Sequence, residues 1–244
     1  MHKRIGKLDP DLADQIAAGE VVERPASIVK EVVENSLDAG SKNIDISVSG
    51  GGLKSIYVSD DGHGIHEADL TLAIQRHATS KISKSEDLLS ISTLGFRGEA
   101  LASIASVSRF KLSSRSGQSE SGWMISTAGD SKFSKEPIAH NRGTTVHADE
   151  LFFNVPARRK FLKSERAENR QIETVVKKIS LANMSVAFSY AQSGSSKNER
   201  GLRKLELKAG DPRQRLADVL SPDFVEKSIF LDETRNRYRL FGWI

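Results

Sequence analysis

The strongest constraint in this chain is a helix-and-hairpin unit over residues 25–64. Pro25 sits at a first-turn position, Ile28, Val29, Val32, Val33 and Leu37 form an apolar stripe, and Gly40 stands where a helix C-cap belongs. At about 100° per residue, Glu31, Glu34, Asn35 and Asp38 fall within one arc of about 100° on the other side. Ile44, Ile46 and Val48 then alternate with polar residues, and Gly50-Gly51-Gly52 permits a tight reversal. Ile56 and Val58 alternate again into Asp60-Asp61-Gly62-His63-Gly64. The helix buries one side and aims carboxylates and an amide at something. The solvated face of an ordinary amphipathic helix carries the same pattern, so segments further along must decide between the two.

Elsewhere helix and strand signals alternate. Leu70, Ala73, Ile74 and His77 give an approximate stripe for a helix over 67–76, and another helix begins near Gly98 and includes Ala100, Leu101 and Ile104. Strand-like runs recur at 109–115, 123–127 and 144–148, and a long helical pattern covers 165–181. The expected fold is α+β, a mixed sheet covered by helices. Stretches rich in serine and glycine at 113–122 and 192–201 read as loops, the second lying where one domain could hand over to another. The expected division falls near residue 209: residues 1–209 form a first domain, and 210–244 the truncated start of a second α/β domain. In that tail, 212–220 suits a short helix and 238–244 a strand.

A chain of 244 residues, 38% hydrophobic, can bury one good core and part of a second. No apolar run approaches the roughly 18 residues of a membrane span, and residues 1–4 lead into polar sequence instead of a signal-peptide core. A cytoplasmic protein is expected. The absence of cysteine removes disulfides, thiolate nucleophiles and cysteine-based metal sites, and a pI near 9.2 permits an anionic partner. Gly6-Lys7 is followed by Leu8, so the standard P-loop is missing, as are a Gly-x-Ser-x-Gly elbow and a His-Glu-x-x-His helix. His63 and His66 lack a third ligand, and no zinc site is expected there.

What remains matches the needs of an adenine nucleotide. The 6-amino group wants a buried acceptor, magnesium wants oxygen ligands, and phosphates want backbone N–H groups or cations. Asp60 ends a strand and can accept from the amine, while Gly62 and Gly64 let backbone approach the ring. Asn35 offers a neutral oxygen to magnesium, and Glu31, one turn earlier on the same face, can orient and deprotonate water. In Thr93-Leu94-Gly95-Phe96-Arg97-Gly98-Glu99-Ala100-Leu101, two glycines introduce a helix whose first amides suit an anion. Upstream, Arg76-His-Ala-Thr79-Ser80-Lys81 adds hydroxyls and cations in a segment long enough to act as a lid. Arg142-Gly143-Thr144 brings a glycine into a strand whose threonine hydroxyl could face the base.

A basic stretch is separate from these motifs. Arg158, Arg159, Lys160, Lys163, Arg166 and Arg170 crowd together with Phe152, Phe153 and Phe161 interleaved, which suits phosphate contacts. Glu165 and Glu168 interrupt the charge, and a solvated helix face with i,i+4 pairs fits equally well.

Glu-x-x-x-Asn, Asp-x-Gly-x-Gly, the glycine-flanked lid and Gly-Thr, in this order, resemble the GHKL ATPases, which include gyrase-type topoisomerases, a heat-shock chaperone class and sensor histidine kinases. Further stretches narrow the resemblance. Gln15-Ile-Ala-Ala-Gly-Glu-Val-Val-Glu-Arg-Pro-Ala-Ser27, Glu34-Asn-Ser-Leu-Asp-Ala-Gly40, Arg76-His-Ala-Thr-Ser-Lys81, Gly95-Phe-Arg-Gly-Glu-Ala-Leu101 and Pro156-Ala-Arg-Arg-Lys-Phe-Leu162 are similar to the N-terminal region of the MutL family of DNA mismatch repair proteins. The resemblance covers nearly the whole chain.

It implies a GHKL (Bergerat-type) mixed sheet with helices on one face, followed by a transducer domain that is truncated here, and it implies slow, magnesium-dependent ATP hydrolysis. Glu31 would be the general base, Asn35 the magnesium ligand and Asp60 the adenine acceptor, with Gly62 and Gly64 beside the ring. Asp38 would support the pocket and Glu34 would be structural. Thr79, Ser80 and Lys81 would belong to the lid. Leu94, Gly95, Phe96, Arg97, Gly98, Glu99, Ala100 and Leu101 would bind nucleotide, the last five around the phosphates, and Thr144 would lie near the base. The family also implies lid closure with ATP-dependent dimerisation and weak non-specific DNA binding, for which Arg158, Arg159, Lys160 and Lys163 are the candidates. Its partners would be a mismatch-recognition protein, a nuclease and a helicase, in a bacterial cytoplasm at the nucleoid. Another GHKL ATPase of topoisomerase type, or a non-hydrolysing DNA-binding module, are the alternatives.

Overall fold

Apolar residues that alternate along the strands and recur along the helices meet at a single interface. The computed structural model describes residues 6–244 apart from 83, 85, 88–92, 96, 131 and 195–202. The chain runs α1 (Pro10–Val21), α2 (Pro25–Asp38), β1 (Asn43–Ser49), β2 (Ser55–Asp60), α3 (Leu70–Ala73), α4 (Ala100–Ser106), β3 (Arg109–Arg115), β4 (Gly122–Thr127) and β5 (Phe133–Ile138). It continues with β6 (Gly143–Asp149), α5 (Pro156–Phe161), α6 (Glu165–Ala182), β7 (Ala187–Ser193), β8 (Arg203–Leu207), α7 (Pro212–Val219), α8 (Pro222–Lys227), β9 (Phe230–Arg235) and β10 (Tyr238–Trp243).

Eight strands form one sheet in the order β5-β4-β3-β6-β2-β1-β7-β8, and β9 and β10 form a separate hairpin. The β1–β7 pair is parallel and the other pairs antiparallel, which makes the sheet mixed. On one face Ile44, Ile46, Val48, Ile56, Val58, Phe110, Leu112, Val146 and Ala148 are buried. Val29, Val32 and Val33 of α2, Ile104 of α4, and Ile172 and Val176 of α6 are buried in the same cluster. The intervening Asn43, Asp45 and Ser47 of β1 are exposed, so the helices occupy one face only.

Two buried charges tie distant segments together. Glu168 in α6 has no exposed surface and accepts from Arg24 at 2.8 and 3.1 Å and from the Lys163 N–H at 3.0 Å. The hydrogen bond to Glu168 raises the Arg24 pKa above its ordinary value, so this pair fixes the start of α2 to α6. Arg24→Met strands the buried carboxylate, and a loss of about 3 kcal/mol is expected by urea denaturation. A midpoint equal to wild type would contradict this role. Arg215 in α7 is also buried. It donates to the carbonyls of Ser180, Val186 and Lys208, each at 2.7 Å, and lies over the Phe188 ring at 5.6 Å. With Leu216 and Val219 buried beside it, α7 packs against α6.

The sequence pattern over 67–76 yields only the four-residue α3. Its last turn gives way at Ile74; Arg76 is drawn to Asp14 of α1 at 2.6 Å, and His77 takes a left-handed φ of 59°. Ser113 to Arg115, which the strand-like run over 109–115 and the loop-like stretch over 113–122 both include, belong to β3. Among the described residues no helix is long and apolar enough to cross a membrane.

Candidate functional site

The polar side of α2 divides into two parts. On one, Lys30 bridges Glu34 at 2.8 Å and Glu31 at 3.2 Å. Burial works to discharge the Lys30 ammonium, but the hydrogen bond to Glu34 and the adjacent Glu31 charge outweigh it and leave the pKa raised. Glu31 is therefore paired with a fixed cation, with 29% of its side chain open to solvent.

On the other part, both ends of the segment expected to act as a lid meet the helix. The Lys81 ammonium donates to Asn35 Oδ1 at 2.8 Å and to Asp38 Oδ2 at 2.5 Å. Asp38 also accepts from the backbone N–H groups of Leu94 at 3.0 Å and Gly95 at 3.3 Å. Asp38, expected only to support the pocket, is the node that joins both lid ends to α2. Thr79 Oγ1 accepts from the Lys81 N–H at 3.2 Å, and Glu99 pairs with His77 at 3.2 Å. Gly98 has a φ of 63° and lies against the Ala78 carbonyl, which closes the two ends on each other. Ser80 and Arg97 are exposed, Ala100 and Leu101 open α4, and Phe96 lies outside the described residues.

An amide oxygen and a carboxylate oxygen converging on an ammonium form a cation site with hard donors. Among the described residues no cluster of three or more histidine, aspartate or glutamate side chains could hold a metal by itself. A magnesium ion on Asn35 fits this donor set only if phosphate oxygens and water complete its shell.

The second wall begins at the end of β2. Asp60 accepts from Ser36 Oγ of α2 at 2.8 Å and from the Gly62 N–H at 2.9 Å, which fixes its carboxylate. Register places it opposite Thr144 on β6. Two glycines allow the strands and loop to close: a side chain at Gly143 (φ 121°) would strike the Asp60 carbonyl, and one at Gly64 (φ 73°) the Arg115 carbonyl. Ser36 joins this wall to α2, the helix whose Asn35 and Asp38 hold Lys81, Leu94 and Gly95.

Residues 23–149 match the family described as histidine kinase-, DNA gyrase B-, and HSP90-like ATPase. Over 99% of its length the chain is 47% identical to the DNA mismatch repair protein MutL of Cellvibrio japonicus and 48% identical to that of Pseudomonas fluorescens. The solved Aquifex aeolicus MutL ATPase domain complexed with ADP is 32% identical, with a TM-score of 0.65 over 87% of this chain and 73% of that one. The chain belongs to the MutL family. It spans 38% of the length of those two curated MutL relatives.

Three residues of this MutL-family site were not singled out from sequence. Ser36 interrupts the apolar arc of α2, and that interruption was its signal. Ser114 falls in phase with buried Phe110 and Leu112, so alternation points it inward. Asp61 accepts from the N–H groups of Lys42 at 2.7 Å and Asn43 at 2.9 Å, and from Asn43 Nδ2 at 2.7 Å. Burial pushes its pKa up, but these hydrogen bonds win and hold it below the ordinary value, anchoring the loop that carries Gly62 and Gly64.

The basic candidates sit apart from these walls. Arg159, Lys160 and Lys163 are exposed on and just after α5, beside Phe161 at 87% exposure. Arg158 instead donates to the Ile16 carbonyl of α1 at 3.0 Å and packs over Gly19, so it serves as a strut between helices.

Proposed function

We propose that this chain binds ATP with magnesium and hydrolyses it slowly, as the N-terminal ATPase region of a MutL-type mismatch repair protein. The observation that carries the reading is the meeting of Asn35 and Asp38 with Lys81, Leu94 and Gly95, since it brings the metal ligand and the lid to the same face of α2.

In this reading Asp60 accepts from the adenine 6-amino group, and Thr144 lies beside it. Asn35 would hold magnesium, which when bound would neutralise charge on the phosphates. Lys81, released from Asn35, donates to phosphate oxygens along with the amides of residues 94–98. Glu31 takes a proton from water as its oxygen bonds to the γ-phosphorus, and the bond from that phosphorus to the bridging oxygen breaks to release ADP. Phosphate release that stops on chelation and returns with magnesium tests this directly; release unaffected by chelator would refute the metal's part.

Lid closure is proposed to couple to pairing of N-terminal regions and so to relay mismatch recognition to a nuclease and a helicase. A nonhydrolysable ATP analogue is expected to shift the chain toward dimer in sedimentation, whereas monomer alone at high protein concentration would count against it. Arg159, Lys160 and Lys163 remain the proposed non-specific DNA contacts, with Arg158 positioning α5. The proposed division stays near residue 209, with α7 docked on the first unit and the remaining tail beginning the second. The intended setting is the bacterial cytoplasm, at the nucleoid. The contacts of Lys81, Leu94 and Gly95 with α2, and the carboxylate held at Asp60, favour hydrolysis over a DNA-binding module whose pocket is vestigial.

A further inference from the structure

Ser114 is 1% exposed and holds three partners from two other segments. Its Oγ lies 2.8 Å from the Ile65 N–H, 2.7 Å from the Gly143 carbonyl oxygen and 2.9 Å from Thr144 Oγ1. A hydroxyl has one proton to give and two lone pairs to receive with. The Gly143 carbonyl can only accept, so the Ser114 proton goes to it. The Ile65 N–H can only donate, so it takes one lone pair. Thr144 must then give its own proton to the remaining lone pair of Ser114. This leaves Thr144 Oγ1 with lone pairs alone toward the pocket.

Asp60 is opposite Thr144 in register and also presents acceptor oxygens. Its carboxylate already receives Ser36 Oγ and the Gly62 N–H, and each oxygen retains a lone pair. The base wall therefore offers two neighbouring acceptors. A 6-amino purine presents N–H donors there, and a 6-oxo purine presents an acceptor.

We infer that Ser114 is a positioning residue that clamps the 60–65 loop to β6 and fixes the Thr144 hydroxyl as an acceptor, so that the site prefers adenine over guanine nucleotides. The inference deepens the nucleotide-site reading above and rests on it. Replacement of Ser114 by alanine frees the Thr144 proton to turn toward a 6-oxo group.

Calorimetry with ADP and GDP at fixed magnesium tests the inference on the wild-type chain and Ser114→Ala, with thermal melting to show that each is folded. Wild type is expected to prefer ADP. In Ser114→Ala, ADP affinity is expected to fall about tenfold and the ADP-to-GDP preference to fall by a similar factor, the scale of one hydrogen bond. Equal weakening for both nucleotides, with the preference unchanged, would overturn the Ser114 assignment, because a merely structural role has that signature. Binding of neither nucleotide by wild type would instead overturn the nucleotide-site reading itself. Should Ser114→Ala not fold, Thr144→Val carries the test: removing the acceptor lowers the same preference, and an unchanged preference overturns the inference.

Discussion

Glu31→Ala is expected to bind ATP nearly as well as wild type and to hydrolyse it about 10²-fold or more slowly, the scale of a lost general base. The separation of the two effects follows from position. Glu31 is partly exposed and its carboxylate bonds Lys30, whereas Asp60, Asn35 and the ends of the lid segment are held by Ser36, Lys81 and Asp38. The carboxylate can therefore be removed without disturbing the proposed binding walls. Steady-state phosphate release paired with calorimetry measures both quantities, and wild-type turnover in the variant would end the assignment of Glu31 as the base. Lys30 would remain bonded to Glu34 in that variant, so α2 is expected to stay folded.

Asp60→Asn is expected to act on binding itself. The carboxylate receives the Gly62 N–H on one oxygen and Ser36 Oγ on the other. An asparagine would keep its oxygen toward the Gly62 N–H, which has no alternative role, and turn its NH₂ toward Ser36, whose hydroxyl can rotate to accept. The adenine amine would then meet a donor. Loss of a hydrogen bond to a charged group, with a donor left opposed, corresponds to a weakening on the order of 10- to 100-fold. Thermal stability is expected to change little, because each internal partner of residue 60 can still be satisfied. Undiminished ADP affinity would refute the adenine role of Asp60.

Much of the site was legible because its residues repeat at the period of their own element. Glu31, Asn35 and Asp38 share a helix face, and Asp60 closes an alternating strand, so both walls could be placed before their meeting was seen. The residues that connect the walls were harder to find. Ser36 and Ser114 lie on apolar faces, and their value comes from partners far along the chain, which local periodicity does not report. The role of Asp38 was understated for the same reason: its partners are Lys81, Leu94 and Gly95 on another segment.

The fold divides in the same way. β3, β6 and α6 follow local patterns almost to the residue. β5 does not, because an edge strand with Lys135, Glu136 and Pro137 carries no buried face; its residues are exposed apart from half-buried Ile138. The parallel pairing of β1 with β7 joins the two ends of the first unit and has no local signature. α3 shows the opposite error, a helical stripe cut short by the Arg76–Asp14 pair and the left-handed His77.

Diffraction from this chain with a nonhydrolysable ATP analogue and magnesium tests the central claim most directly. The account predicts the adenine amine at Asp60, the metal on the Asn35 oxygen, and the Lys81 ammonium moved from Asn35 to the phosphates. Analogue bound elsewhere, with Lys81 still donating to Asn35, would contradict it.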